Sequence, residues 1–141
     1  MAKSIEQWIT AYAVSHQHPQ NALIHHICVP LIFLSVIAII NYISPWLLLV
    51  SGCLASIFYL GLGLKPLLTF WAMVGASLFA AQLLNLSLLL LVVIFVLAWI
   101  GQFIGHKIEG AKPSLFNDLK FLLIGPLWLF SGWLIEQKPE K

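Results

Sequence analysis

Residues 86–110 read LSLLLLVVIFVLAWIGQFIGHKIEG. The first part is almost unbroken aliphatic and aromatic side chain. The last part carries Gln102, His106, Lys107 and Glu109. About 20 apolar residues make a helix long enough to cross a bilayer, so the stretch predicts a crossing whose end emerges into a polar zone. On that helix Trp99, Gln102, His106 and Glu109 fall at i, i+3, i+7 and i+10, within one narrow stripe. Gly101 and Gly105 form a GxxxG on the adjacent strip, where a second helix can come close.

The rest of the chain points to the same solvent. Of its 141 residues, 61% are hydrophobic and 9% charged, against about 25% charged in a soluble domain. Three more runs are long enough to span, at residues 22–43, 46–64 and 67–84, ahead of the fourth at 86–105. Breaks fall at Ser44-Pro45, at Lys65-Pro66 and at 85–87. Connections this short predict antiparallel neighbours. The predicted fold is an all-α membrane protein, a bundle of four transmembrane helices in one membrane-embedded domain, 1–141. Ahead of it, residues 4–15 place Ile5, Trp8, Ile9 and Tyr12 at helical spacing, an amphipathic helix. After it come a polar loop at 106–118 and an apolar tail at 119–135 split by Gly125-Pro126. That tail reads as a re-entrant or interfacial helical hairpin.

Net charge is +2 with no arginine, which argues against a nucleic-acid partner, since phosphate neutralisation needs clustered Lys and Arg. Cys28 and Cys53 both lie in apolar runs and read as packing residues. The first twenty residues hold no short apolar stretch with a small-residue cleavage site, so no cleaved signal peptide is expected. With four crossings, both termini, every charged residue and all five histidines fall on one side. The positive-inside rule makes that side cytoplasmic, in a bacterial inner membrane or the endoplasmic reticulum.

Residues 15–26, SHQHPQNALIHH, hold four of the five histidines. Pro19 suits the first turn of a helix, with His18 near its cap. Asn21 and His25 share a face at i, i+4. His26 lies about 100° away, toward lipid headgroups or a neighbouring helix. If the first spanning helix packs on the fourth, His25 and His106 converge and His16 closes the set, with His18 and Glu109 as further candidate ligands. Imidazoles beside a carboxylate suit a divalent transition metal, and neutral imidazole binds Zn, Fe, Cu and Ni. Asn21, Gln102 and Glu109 are candidates to hold the other ring nitrogens. Lys107 and Lys112 suit solvated or lipid-facing anchors. Three chemistries fit these residues: a zinc-dependent membrane lipid hydrolase, a haem bundle with His25 and His106 as axial ligands, or a transporter whose histidines sense pH.

Two stretches carry a resemblance. Residues 12–30, YAVSHQHPQNALIHHICVP, resemble the N-terminal motif of the yeast-type 2-hydroxy-fatty-acid dioxygenase family: Tyr, His, Asn, His and Pro at these spacings. Residues 99–115, WIGQFIGHKIEGAKPSL, resemble its second motif, Trp-x-x-Gln-Phe-x-Gly-His followed by Glu-Gly-x-x-Pro. The family consists of small membrane proteins, long filed as a domain of unknown function, and one member acts in phytosphingosine breakdown. The resemblance implies an Fe(II)-dependent dioxygenase of fatty acid α-oxidation. Its substrates would be O2 and a long-chain 2-hydroxy fatty acid, shortened by one carbon, with the tail between apolar helices. His16, His25 and His106 would inherit the ligand and catalytic role. Asn21, Gln102 and Glu109 match polar motif positions, and Lys107 or Lys112 would steer the carboxylate.

Overall fold

The structure is a computed structural model describing residues 3–110 and 115–135, without the side chains of 115–121. Seven helices follow one another among the described residues. Helix α1 (Ile5–Val14) opens on Ser4, whose hydroxyl accepts from the Gln7 N–H while the Ser4 N–H donates to Gln7 Oε1. Two otherwise unsatisfied donors are thereby paired. Helix α2 (Pro19–Ile43) is capped by His18, whose Nδ1 accepts from the Gln20 N–H at 3.3 Å. Pro19 fills the first position, where no N–H is required. Ser44 caps α3 (Pro45–Leu62) and Ser87 caps α5 (Leu88–Glu109) through their hydroxyls, as Ser4 caps α1. Between them lies α4 (Leu64–Leu83), and after them α6 (Leu115–Trp128) and the single turn α7 (Ser131–Leu134).

Helices α2 to α5 are each long and apolar enough to cross a membrane. The protein is therefore an all-α membrane protein built on four such helices. Two details depart from the expectation. The chain turns at Gly63, whose φ of 123° suits glycine, and Lys65-Pro66 lies inside the first turn of α4. A proline there displaces no helical hydrogen bond. The tail breaks after Trp128, and α6 runs straight through Gly125-Pro126. Pro126 removes one backbone bond, and Gly125 beside it is seated tightly against Tyr12 and Val29. Helix α2 likewise contains Pro30 without ending.

Helix α2 is the centre of the bundle. It packs along α5 on one side and on α3 and α4 on the other, while α1 lies on α6. Burial follows. Ile37, Leu48, Tyr59, Phe70 and Val74 form one core with Ile124 and Leu127 of α6, and Cys28, Ile32 and Ala98 form another at the α2–α5 seam. The buried Tyr59 hydroxyl donates to the Leu123 carbonyl at 2.8 Å, which removes the cost of sealing it in. Lys65 Nζ sits 5.4 Å from the Trp133 ring, tying the start of α4 to α7. Outward residues such as Leu49, Leu54, Leu89 and Leu97 are exposed leucines, the surface that lipid requires.

Candidate metal centre

The site begins with two missing side chains. A Cβ at Gly101 would sit 2.6 Å from Cys28 Sγ, and one at Gly105 would collide with Asn21 Oδ1 and lie 3.4 Å from His25 Cε1. The GxxxG strip of α5 therefore faces α2, and the two backbones approach closely at their polar ends. That approach lets His106, one residue past Gly105, reach His25.

His16 arrives from elsewhere. It follows α1, and its ring stacks on Tyr12 with centroids 4.1 Å apart and planes 9° from parallel. Its Nδ1 lies 2.7 Å from the Tyr12 carbonyl oxygen. Nδ1 of His25 lies 3.0 Å from the Asn21 carbonyl oxygen. A carbonyl can only accept, so Nδ1 carries the proton in both rings and the lone pair sits on Nε2. Pinning one ring nitrogen to direct the other is how proteins orient metal-binding imidazoles.

The three rings meet. Centroid separations are 4.1 Å for His16–His25, 4.9 Å for His25–His106 and 5.6 Å for His16–His106. One ring nitrogen from each lies within 4.8 Å of the others, close enough to share one ion. His16 and His25 are buried and His106 is half-buried. Three converging imidazoles are a donor set suited to Fe, Zn, Cu or Ni. Packing alone offers no comparable reason to gather three polar rings beneath a membrane boundary.

The remaining polar residues hold this set from outside. Glu109 accepts from the backbone N–H of His18 at 2.8 Å, from that of Gln17 at 3.2 Å and from Asn21 Nδ2 at 3.1 Å. Asn21 is fully buried and donates also to the Ser15 carbonyl at 3.1 Å. Its Oδ1 has no hydrogen-bond partner among the described residues. His18 is turned to its own helix, on the Gln20 N–H, and neither it nor Glu109 belongs to the cluster. Nδ1 of His16 and Nδ1 of His25 are held by backbone carbonyls, a role expected of the side chains of Asn21, Gln102 and Glu109. Lys107 follows His106 and is exposed, and Lys112 lies outside the described residues. His26 is exposed, with Nδ1 on the Ala22 carbonyl.

Trp128 has no counterpart in the sequence reading. Its ring centroid lies 5.6 Å from His16, 5.2 Å from Tyr12 and 4.6 Å from His26, so α6 covers the site with an indole. An aromatic within an apolar tail carries no local mark of this role. In the folded chain Trp128 lies one helical turn after the fully buried Ile124.

A family model described as "2-hydroxy-palmitic acid dioxygenase Mpo1-like" matches residues 2–62 and 65–137. A relative from Saccharomyces cerevisiae, named 2-hydroxy-palmitic acid dioxygenase MPO1, is 33% identical over 140 residues, covering 89% of this chain and 76% of its own. No solved structure matches.

Proposed function

Because the chain belongs to the 2-hydroxy-palmitic acid dioxygenase Mpo1-like family, we propose that it oxidatively decarboxylates long-chain 2-hydroxy fatty acids with Fe(II) held by His16, His25 and His106. The observation that carries this is the meeting of three imidazole nitrogens within 4.8 Å at the polar end of four membrane-crossing helices. A fatty acid presents its head at such a boundary and its tail to the bundle.

The reaction is RCH(OH)COOH + O2 → RCOOH + CO2 + H2O. It balances, and the acid supplies all four electrons that O2 accepts, so no further reductant is called for. Bound iron would supply the redox chemistry that brings O2 into reaction with a closed-shell acid and orient the acid's head. The chain's own groups prepare for that. The Tyr12 and Asn21 carbonyls hold two rings in one tautomer. Glu109 fixes the turn that carries His16 and His18. Trp128 and Tyr12 screen His16, which limits water at the reacting end. Lys107, exposed and next to His106 in the chain, is proposed to attract the incoming carboxylate, with Lys112 to assist. The site and both termini are assigned to the cytoplasmic side, of a bacterial inner membrane or the endoplasmic reticulum.

Purified protein loaded with Fe(II) and given 2-hydroxypalmitate in air should yield pentadecanoate and CO2 in equal amounts, without 2-oxoglutarate. An iron-replete preparation that forms no product overturns the proposal.

A further inference from the structure

Helix α6 runs beside α2 from the histidines into the bundle. Trp128 packs on His16 and His26. One turn earlier, Gly125 meets Val29. A turn earlier again, Leu122 lines a cavity together with Ile32 and Val36. On α2, His25, Val29, Ile32 and Val36 are spaced i, i+4, i+7 and i+11 and so lie on one face. The cavity has a volume of about 150 Å³ and is lined also by Gly52 and Ala55 of α3 and Phe70 and Trp71 of α4. Its one hydroxyl, on Ser51, already donates to the Leu48 carbonyl at 3.1 Å. The lining therefore offers a guest no polar partner, and such a cavity takes an apolar ligand.

Resting on the assignment of the histidines to 2-hydroxy-acid oxidation, we propose that this cavity receives the far end of the substrate's alkyl chain and that Trp71, seated on Gly52, sets the length accepted. Ile32 and Val36 stand roughly 10 and 16 Å from His25 along the helix axis. A lipid tail covers one leaflet, about 15 Å, so a head at the histidines places its tail end at this depth. Both lie along the same face of α2, with the Val29–Gly125 contact between them. A tail left in the surrounding lipid would meet chains as apolar as any protein wall, and the enzyme could not measure it. A shaped cavity can.

Trp71 is a fixed wall. Its Nε1–H donates to Ser56 Oγ at 3.0 Å, and Ser56 in turn donates to the Gly52 carbonyl at 2.8 Å. A Cβ at Gly52 would lie 2.8 Å from Trp71 Cη2, so only glycine lets the indole lie against α3 at this point. Ala55, one turn on, leaves the space that a larger side chain would fill.

The test has two arms. In the first, Ala55→Trp should cut kcat/KM for 2-hydroxypalmitate at least about tenfold relative to 2-hydroxydecanoate, while Trp71→Ala raises the ratio for a chain longer than palmitate. In the second, wild-type protein in lipid nanodiscs is illuminated with palmitic acid bearing a diazirine at its terminal carbons, with no metal or turnover needed. Label on the α3 and α4 peptides around Gly52 and Trp71, competed by 2-hydroxypalmitate, is the expected result. Equal losses at every chain length overturn the proposal, as does label confined to lipid-facing Leu49, Leu54 and Leu89 without competition. Wild-type protein that oxidises no acid of any length refutes the activity instead, and the labelling arm then decides the cavity by itself.

Discussion

The Glu109 carboxylate, in the last turn of α5, accepts a hydrogen bond from the backbone N–H of His18, just ahead of α2, at 2.8 Å. With the Gln17 N–H and Asn21 Nδ2 on the same carboxylate, three donors converge on one anion. Each bond is stronger for the full charge. The segment they hold is the one that brings His16 to His25.

Glu109→Gln keeps the shape but removes the charge and places an NH2 where a donor was accepted. Metal affinity should fall about 10- to 100-fold, with helical content by circular dichroism unchanged. Chelator competition measures it. Affinity equal to wild type would detach Glu109 from the site.

His106→Ala removes a ring from the set while leaving α2 and α5 packed. Bound metal and O2 consumption should disappear together, by more than the roughly hundredfold expected for a supporting residue. Elemental analysis and an oxygen electrode on one preparation check this. Retained turnover would expel His106 from the ligand set.

Gly105→Ala drives a methyl into Asn21 and crowds His25. It should destabilise the protein by about 1–3 kcal/mol and weaken metal binding as well. Gly101→Ala meets Cys28 Sγ instead, so Cys28→Ala should restore the stability lost there, a coupling expected of touching residues. Thermal unfolding of the Gly101 and Cys28 single variants, their double variant and Gly105→Ala reads both effects.

Stripping the protein with a chelator should lower its thermal midpoint, because a ligand that binds only the folded state at a hundred times its Kd contributes about 2.7 kcal/mol. Fe(II) should restore both midpoint and turnover. Zinc should restore the midpoint alone, being redox-inert. Turnover with zinc under anaerobic conditions would instead favour hydrolysis.

The crossings were legible because a bilayer demands about 20 apolar residues at a time, and α2 to α5 meet that demand openly. The seam between α2 and α5 could be anticipated from Gly101 and Gly105, since small residues mark close approach. The partners of Glu109 were not legible. Two of its three donors are backbone amides of Gln17 and His18, and a peptide N–H looks alike at every position in a sequence. Glu109 on its stripe was therefore equally readable as a ligand. Trp128 was hidden for another reason. Gly125-Pro126 ordinarily marks a break, yet α6 continues through it to Trp128, with Gly125 packed against Tyr12 and Val29, a contact invisible before folding.

His16 precedes the earliest of the four crossings and His106 ends the latest. A nascent chain leaving the ribosome therefore carries His16 and His25 without His106 until nearly all of its hydrophobic segments have been handed to the membrane. On the proposed assignment, capture of an ion by the complete trio would mark the end of insertion, and half-made protein would be spared oxygen chemistry that it could not contain.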